Sequence, residues 1–197
     1  MKGIVIFMRI IAGEARGRRI EAPAGKNTRP TLDRVRENMF NILQNDIAGR
    51  SVLDLFAGSG ALSLEALSRG AACAVLVDHD FQANRIERKN IESLRMEDRA
   101  TVLRCDWQSA VQSLTGEGRK FGLIFLDPPY AAKNIEAVFQ TLVPLADGNT
   151  LIVYEHEAKG NIPAPASFEA IKQRSWGYCG MVIYRLAQQT SQETGEE

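Results

Sequence analysis

A chain of 197 residues with 45% hydrophobic and 24% charged residues is long enough for one α/β domain with a full core and a small appendage. Cys73, Cys105 and Cys179 are too few and too scattered for a disulfide framework or a zinc site, and nothing resembles a membrane span. A protein of the reduced cytoplasm, free of metal and membrane, is therefore expected. The net charge of zero hides an asymmetry: the first fifty residues hold ten Lys/Arg against five Asp/Glu, and the rest hold fourteen against nineteen. A basic first quarter on an acidic remainder points to a polyanionic partner at one end.

The opening Met1-Lys2-Gly3-Ile4-Val5-Ile6-Phe7 is apolar but short, meets Arg9 at once and lacks a small-residue cleavage site, so it does not read as a signal peptide. Residues 1–8 read as an extension, with Met8 as a natural start. From residue 9 to 36 the chain is dense in arginine and broken by Gly13, Gly17 and Gly25, which predicts a short hairpin over 9–11 and 18–21 followed by a loop. Planar, forked guanidinium groups suit phosphate and base faces, so Arg9, Arg16, Arg18, Arg19, Arg29, Arg34 and Arg36 are candidate RNA contacts. Thr31 can cap a helix with Asp33 in its first turn, and Val35, Met39, Ile42 and Leu43 recur at helical spacing to about residue 44. Residues 9–48 thus form a basic hairpin-and-helix region ahead of a main domain over 49–187.

Residues 51–57 read as a buried strand that runs into Gly58-Ser59-Gly60 and a helix over 61–69 closed by Gly70. Strand, glycine turn and helix open a nucleotide-binding βα unit, in which the missing Cβ atoms let backbone approach a ligand. A strand over 74–77 ends in Asp78-His79-Asp80, and Asp78 stands at the distance from Gly60 where a ribose-binding acid sits in such units. A helix over 82–94 and a strand over 101–104 follow, the latter ending at Cys105-Asp106-Trp107. A helix from Ser109 leads to a glycine loop and to the strand that delivers Asp127. A helix over 134–145, a strand over 151–156, and an antiparallel hairpin of 168–175 with 181–186 around Trp176-Gly177-Tyr178 complete the domain. The tail over 188–197 is polar and reads as disordered. Asp78, Asp106 and Asp127 each end a predicted strand, on the edge where open α/β sheets bind ligands.

The run Ile124-Phe125-Leu126 stops at Asp127-Pro128-Pro129-Tyr130. The prolines fix φ and lack N–H groups, so the corner is stiff and consists almost wholly of acceptors beside one flat ring. That suits an exocyclic amine on a nucleobase. Asp127 and a main-chain carbonyl at Pro128 can hold its two N–H groups and free the nitrogen lone pair, while Tyr130 stacks on the base. The glycine pattern lacks the third glycine of a dinucleotide fingerprint, with Ser63 in its place, and Asp54 lies four residues before Gly58.

This arrangement resembles motif I of the Rossmann-like class I S-adenosylmethionine methyltransferases, apart from Phe56. The wider chain resembles the RsmD-like family of bacterial 16S ribosomal RNA guanine-N2 methyltransferases, from about Arg9 to Leu186. The resemblance is carried by Arg9-Ile10-Ile11-Ala12-Gly13, Arg29-Pro30-Thr31 with Asp33-Arg34-Val35-Arg36-Glu37, Asp54-Leu55-Phe56-Ala57-Gly58-Ser59-Gly60, Glu65-Ala66-Leu67-Ser68-Arg69-Gly70-Ala71 and Asp127-Pro128-Pro129-Tyr130. It implies a mostly parallel seven-stranded sheet with an antiparallel closing hairpin and a small N-terminal hairpin and helix. It implies S-adenosylmethionine held by Asp54, Phe56, Ala57, Gly58, Ser59, Gly60, Asp78, Asp106, Trp107 and Asp127. Catalysis falls to Asp127, Pro128, Pro129 and Tyr130, and the substrate is a guanine of 16S rRNA met by a monomer on the small subunit or its assembly intermediate. A DNA adenine-N6 or cytosine-N4 enzyme uses a similar corner but must flip its base from a duplex, and the chain has little room for the recognition domain that requires. A non-catalytic RNA-binding assembly factor is opposed by the intact acids. His79 and His156 are expected to lie outside the chemistry.

Overall fold

The computed structural model describes residues 6–22, 30–128, 135–160 and 162–187. A two-stranded ribbon comes first, β1 (Ile6–Arg9) against β2 (Arg19–Ala22), followed by α1 (Pro30–Ile42). The alternating units β3 (Ser51–Asp54), α2 (Ala61–Ser68), β4 (Cys73–Val77), α3 (Phe81–Leu94), β5 (Ala100–Leu103), α4 (Trp107–Gly116), β6 (Leu123–Leu126) and α5 (Ile135–Leu142) lead to β7 (Leu151–Glu157). The hairpin β8 (Phe168–Trp176) and β9 (Cys179–Leu186) closes the chain. The main sheet has seven strands in the order β5-β4-β3-β6-β7-β9-β8, parallel except for β9, which runs antiparallel to both neighbours. The sheet class and closing hairpin agree with the expectation from sequence.

Successive strand residues alternate between two cores, which is why the inner strands read as unbroken apolar runs. Val52, Leu76, Phe125, Val153 and Ile183 face one cluster with α1, α2 and the N-terminal ribbon. Leu53, Val75, Ile124, Ile152 and Tyr184 face the other, with α4 and α5. Four boundaries shift for physical reasons. β1 starts at Ile6, ahead of the expected Arg9, because Met8 pairs with the buried Ile20 across the ribbon. Helix α1 begins at Pro30, a residue suited to the first helical position, ahead of the expected cap at Thr31. Helix α4 begins at Trp107 because Asp106 caps it through the Ser109 N–H. The helix expected over 134–145 becomes α5 and a separate 3-10 turn, Val143–Leu145, where Pro144 interrupts the ladder.

The N-terminal ribbon is bolted to the main domain through α2. Glu65, fully buried, accepts hydrogen bonds from the Ile11 N–H (2.7 Å), the Ala12 N–H (3.0 Å) and Arg69 Nε (2.7 Å). Ser68 Oγ accepts from the Ala15 N–H (3.0 Å) and donates to the Ala12 carbonyl (2.6 Å). Gly13, at φ +83, lies so close that a Cβ there would stand 1.8 Å from the Ser68 carbonyl oxygen. The two motifs Arg9–Gly13 and Glu65–Ala71 are thus the two halves of one joint. Glu65→Ala leaves two amides and a guanidinium without their acceptor, each at about 1–3 kcal/mol. Urea unfolding is expected to show a loss of roughly 3 kcal/mol or more, whereas a change below about 0.5 kcal/mol, the range of ordinary surface substitutions, would contradict the joint.

Candidate active site

The order of the strands reverses between β3 and β6, the switch point at which open α/β sheets leave a crevice. Asp54, the last residue of β3, is in register with Leu76 of β4 and Phe125 of β6. Asp78 and Asp127 each follow two residues later, so they flank the chain at the level of Phe56. With neighbouring strands about 4.8 Å apart, their Cα atoms stand roughly 10 Å from one another across the bay.

The chain leaves β3 into the glycine loop, and three elements hold that loop. Asp78 Oδ2 accepts from the Gly58 N–H at 3.0 Å, while Oδ1 accepts from the Asp80 N–H at 2.9 Å. Asp80 is spent on the N-cap of α3, accepting from the Ala83 N–H, so Asp78 is the acid turned toward the loop. Asn90 of α3 donates from Nδ2 to the carbonyls of Ser59 and Glu21, both at 2.9 Å, and its Oδ1 accepts from the Glu21 N–H at 2.7 Å. One buried carboxamide therefore fastens the glycine loop to the N-terminal ribbon. Gly60 caps α2 at φ +78, and a Cβ there would stand 2.7 Å from Leu76 Cδ2.

Beneath the loop two carboxyls are buried against other acids. Asp54 accepts from Ser63 Oγ at 3.0 Å through Oδ2, and its Oδ1 closes no hydrogen bond. Burial, then the charges of Asp127 and Asp78, push its pKa up to about 7 against the opposing effect of Ser63 and the Phe56 amide. Glu87, fully buried on α3, accepts from Asn84 Nδ2 at 3.2 Å, and its Oε1 has no partner. Burial first, then Asp54 and Asp78, raise it to about 8. Burial is the larger cause in both, and the neighbouring acids add to it.

The other residues expected here lie as follows. Phe56 and Trp107 both pack against the core on the α4/α5 side of the sheet, and Ala57 and Ser59 are buried in the loop. Asp106 caps α4 with both oxygens on Ser109, at 2.8 Å to the N–H and 2.9 Å to Oγ, and these bonds hold its carboxyl below the usual range. Pro128 is buried directly after Asp127, while Pro129 and Tyr130 lie outside the described residues, as does Arg29.

On the ribbon, Arg9 and Arg19 stand opposite each other on its exposed face, and Arg16 is exposed on the connecting turn. No carboxylate among the described residues pairs with these three. Like charges placed opposite each other repel, at a cost to the ribbon. Arg34 is exposed on α1. Two of the expected RNA contacts have structural partners. Arg18 donates to the Leu94 carbonyl at 3.2 Å and to that of Ser93, and Arg36 is buried with its guanidinium on the Arg9 carbonyl at 2.5 Å. Sequence reasoning missed Glu87, Asn90 and the exposed ring of Phe7, which shares the ribbon face of Arg9. The first two carried a signal, being polar residues on the same helical face as Ala83, Ile91 and Leu94. His79 is exposed, and His156 is buried against Gly180 and stacked on Tyr154.

Sheet order, glycine loop and acidic bay together define a Rossmann-like class I methyltransferase fold. The family model described as Conserved hypothetical protein 95 matches residues 8–185. The chain belongs to this family, the RsmD family. It is 37% identical to ribosomal RNA small subunit methyltransferase D of Escherichia coli K12, over 94% of this chain and 91% of that one. The like-named protein of Haemophilus influenzae is 34% identical over 92% and 93% of the two chains. The solved structure of yhhF from Escherichia coli superposes with a TM-score of 0.77 at 34% identity, covering 92% of this chain and 98% of its own.

The raised carboxyls make stability depend on pH. Their folded values exceed the ordinary 3.8 and 4.5, so between about pH 4 and 8 the unfolded chain binds fewer protons than the folded one. Their contribution is fully present at the acid end of that window and is lost as pH rises through it. Glu87→Gln stays neutral, so its melting temperature should fall less than that of the wild type between about pH 5 and pH 8. An unchanged slope would show that Glu87 does not titrate there.

Proposed function

We propose that this chain transfers a methyl group from S-adenosylmethionine to the exocyclic N2 amine of a guanine in 16S ribosomal RNA, on the small subunit or an assembly intermediate in the cytoplasm. The observation that carries the reading is the placement of Asp127 and Pro128 directly across the bay from Asp78, at the sheet's switch point. The Escherichia coli relative named for small-subunit rRNA methylation, matched over nearly the whole chain, supports the substrate.

The residues present fit the cofactor. Asp54 has an unused buried acceptor, and acids gather at the end of β3. When bound, S-adenosylmethionine supplies an electrophilic methyl group on a sulfonium. The backbone of Phe56 to Gly60 would line it, Asp78 would accept from its ribose hydroxyls, and Asp106 and Trp107 would border the adenine. Each Asp106 oxygen keeps a lone pair beyond its bond to Ser109.

Asp127 and the Pro128 carbonyl hold the two N–H groups of the amine, drawing its nitrogen toward tetrahedral geometry. In the sequence motif Tyr130 is the ring that stacks on the base and Pro129 the second stiffener. Methylation acidifies the nitrogen, and its proton leaves to Asp127 or to water, so no catalytic histidine is required. Arg9, Arg16, Arg19 and Arg34, with Arg29 from the sequence, contact RNA phosphates, while Arg18 and Arg36 serve by holding the ribbon in place. A duplex-DNA enzyme would have to flip its base from the stack, and the relative named for rRNA methylation favours the RNA target.

Labelled methyl transfer to 30S subunits should proceed with wild type and fall at least a hundredfold with Asp127→Ala, the scale of a lost electrostatic contact to the reacting group. Calorimetric affinity for S-adenosylmethionine should survive. Parallel loss of cofactor affinity would make the corner merely structural, and transfer to duplex DNA in place of 30S subunits would change the substrate. Replacing Arg9, Arg16 and Arg19 together by alanine should reduce the slope of log affinity against log salt by roughly 2, at about 0.7 per single-strand phosphate contact. An unaltered slope would remove the ribbon from the interface.

A further inference from the structure

Strand β7 is parallel to β6, with Tyr154 in register with Leu126, but it continues to Glu157, beyond the level of Asp127. Its end therefore projects from the same sheet edge as the candidate catalytic corner. There it meets the turn of the β8–β9 hairpin, because Glu157 is in register with Cys179. The two turns are joined: the Ala158 N–H donates to the Tyr178 carbonyl, and the Gly160 N–H to the Glu157 carbonyl, both at 2.8 Å. Between them lies a cavity of about 250 Å³ lined by Glu157, Ala158, Lys159, Gly177 and Tyr178. That is below the roughly 300–1,000 Å³ of drug-sized ligand pockets and suits one planar group.

The lining has an unusual composition for an idle turn. Gly177, at φ +61, takes the left-handed conformation of the hairpin corner. The adjoining Tyr178 is 45% exposed, one of few large rings on the surface of the described residues. Lys159 and Glu157 are also exposed beside it. A ring, a cation and a carboxylate around a base-sized space provide a stacking face, a phosphate partner and an acceptor for base N–H groups.

We propose that this cavity is a second nucleotide subsite, which receives a base neighbouring the methylated one in single-stranded RNA. The proposal rests on the RNA-methylation reading above. Ala158 stands three residues past the level of Asp127, a displacement of roughly 10 Å along the strand, within reach of an adjacent nucleotide whose neighbour occupies the catalytic corner. Tyr178 stacks on the base, Lys159 meets its phosphate, and Glu157 accepts from an amino or imino edge. The ordering of a flanking nucleotide fixes the register in which the target base is presented.

The test uses the full chain with 30S subunits and with naked 16S rRNA, comparing wild type with Tyr178→Ala, Tyr178→Phe and Lys159→Ala. Tyr178→Ala should raise KM for both RNA substrates about tenfold, as the loss of one base–aromatic stack does. Its S-adenosylhomocysteine affinity and melting temperature should stay at wild-type values. Tyr178→Phe should restore KM, and Lys159→Ala should flatten the salt dependence of RNA binding. Unchanged KM in Tyr178→Ala overturns the subsite, and so does a defect confined to 30S particles, which would mark a ribosomal-protein contact. A wild-type chain that leaves both RNAs unmethylated refutes the rRNA reading instead. In that event, binding of a single-stranded oligonucleotide decides the subsite: weakening by Tyr178→Ala supports it and equal binding overturns it.

Discussion

Burial of two carboxyls among further acids at the end of β3 is the constraint around which the site is arranged. Asp54 and Glu87 are buried beside each other and feel Asp78, with Asp127 acting on Asp54 from the other side of the bay. Burial first, and the neighbouring acids second, make both groups hold their protons more tightly. A cationic ligand at the proposed cofactor site would offset this cost. The glycine loop, the cap at Asp80 and the Asn90 bridge keep these acids from relaxing apart.

The same scaffold carries the arginine-rich ribbon. Glu65 and Ser68 grip the segment from Ile11 to Ala15, and Asn90 grips Glu21, so the arginines of β1 and β2 are fixed relative to the glycine loop. An RNA arm on a flexible tether would need to be ordered anew at each encounter. Here the ribbon is fixed to the glycine loop during folding, so an RNA contact made by it, as proposed, would need no further ordering.

Much of this was legible in the sequence. The apolar runs of β3, β4, β6 and β7, punctuated by glycines and acids, disclosed the parallel sheet, because strands buried on both faces have no polar alternation to obscure them. Asp54 was singled out through the resemblance, whereas the glycine loop and the position of Asp78 after a strand were readable from spacing. Side-chain commitments were not. Arg18 and Arg36 look like any other arginine in a basic segment, yet one reaches carbonyls at the end of α3 and the other is buried under β1. Asp106 and Asp80 follow strands as Asp78 does, and each caps a helix. Glu65 and Asn90 bond across more than fifty residues of sequence, a separation no local pattern encodes.

The acids at the end of β3 are proposed to receive a cationic ligand. The direct measurement is calorimetry of S-adenosylmethionine binding at about pH 7 in buffers of different ionisation enthalpy. A cation beside carboxyls with raised pKa favours their ionised form, so binding should release protons and the apparent enthalpy should follow the buffer's. Binding with no net proton exchange, equally tight in Asp54→Asn, would contradict it.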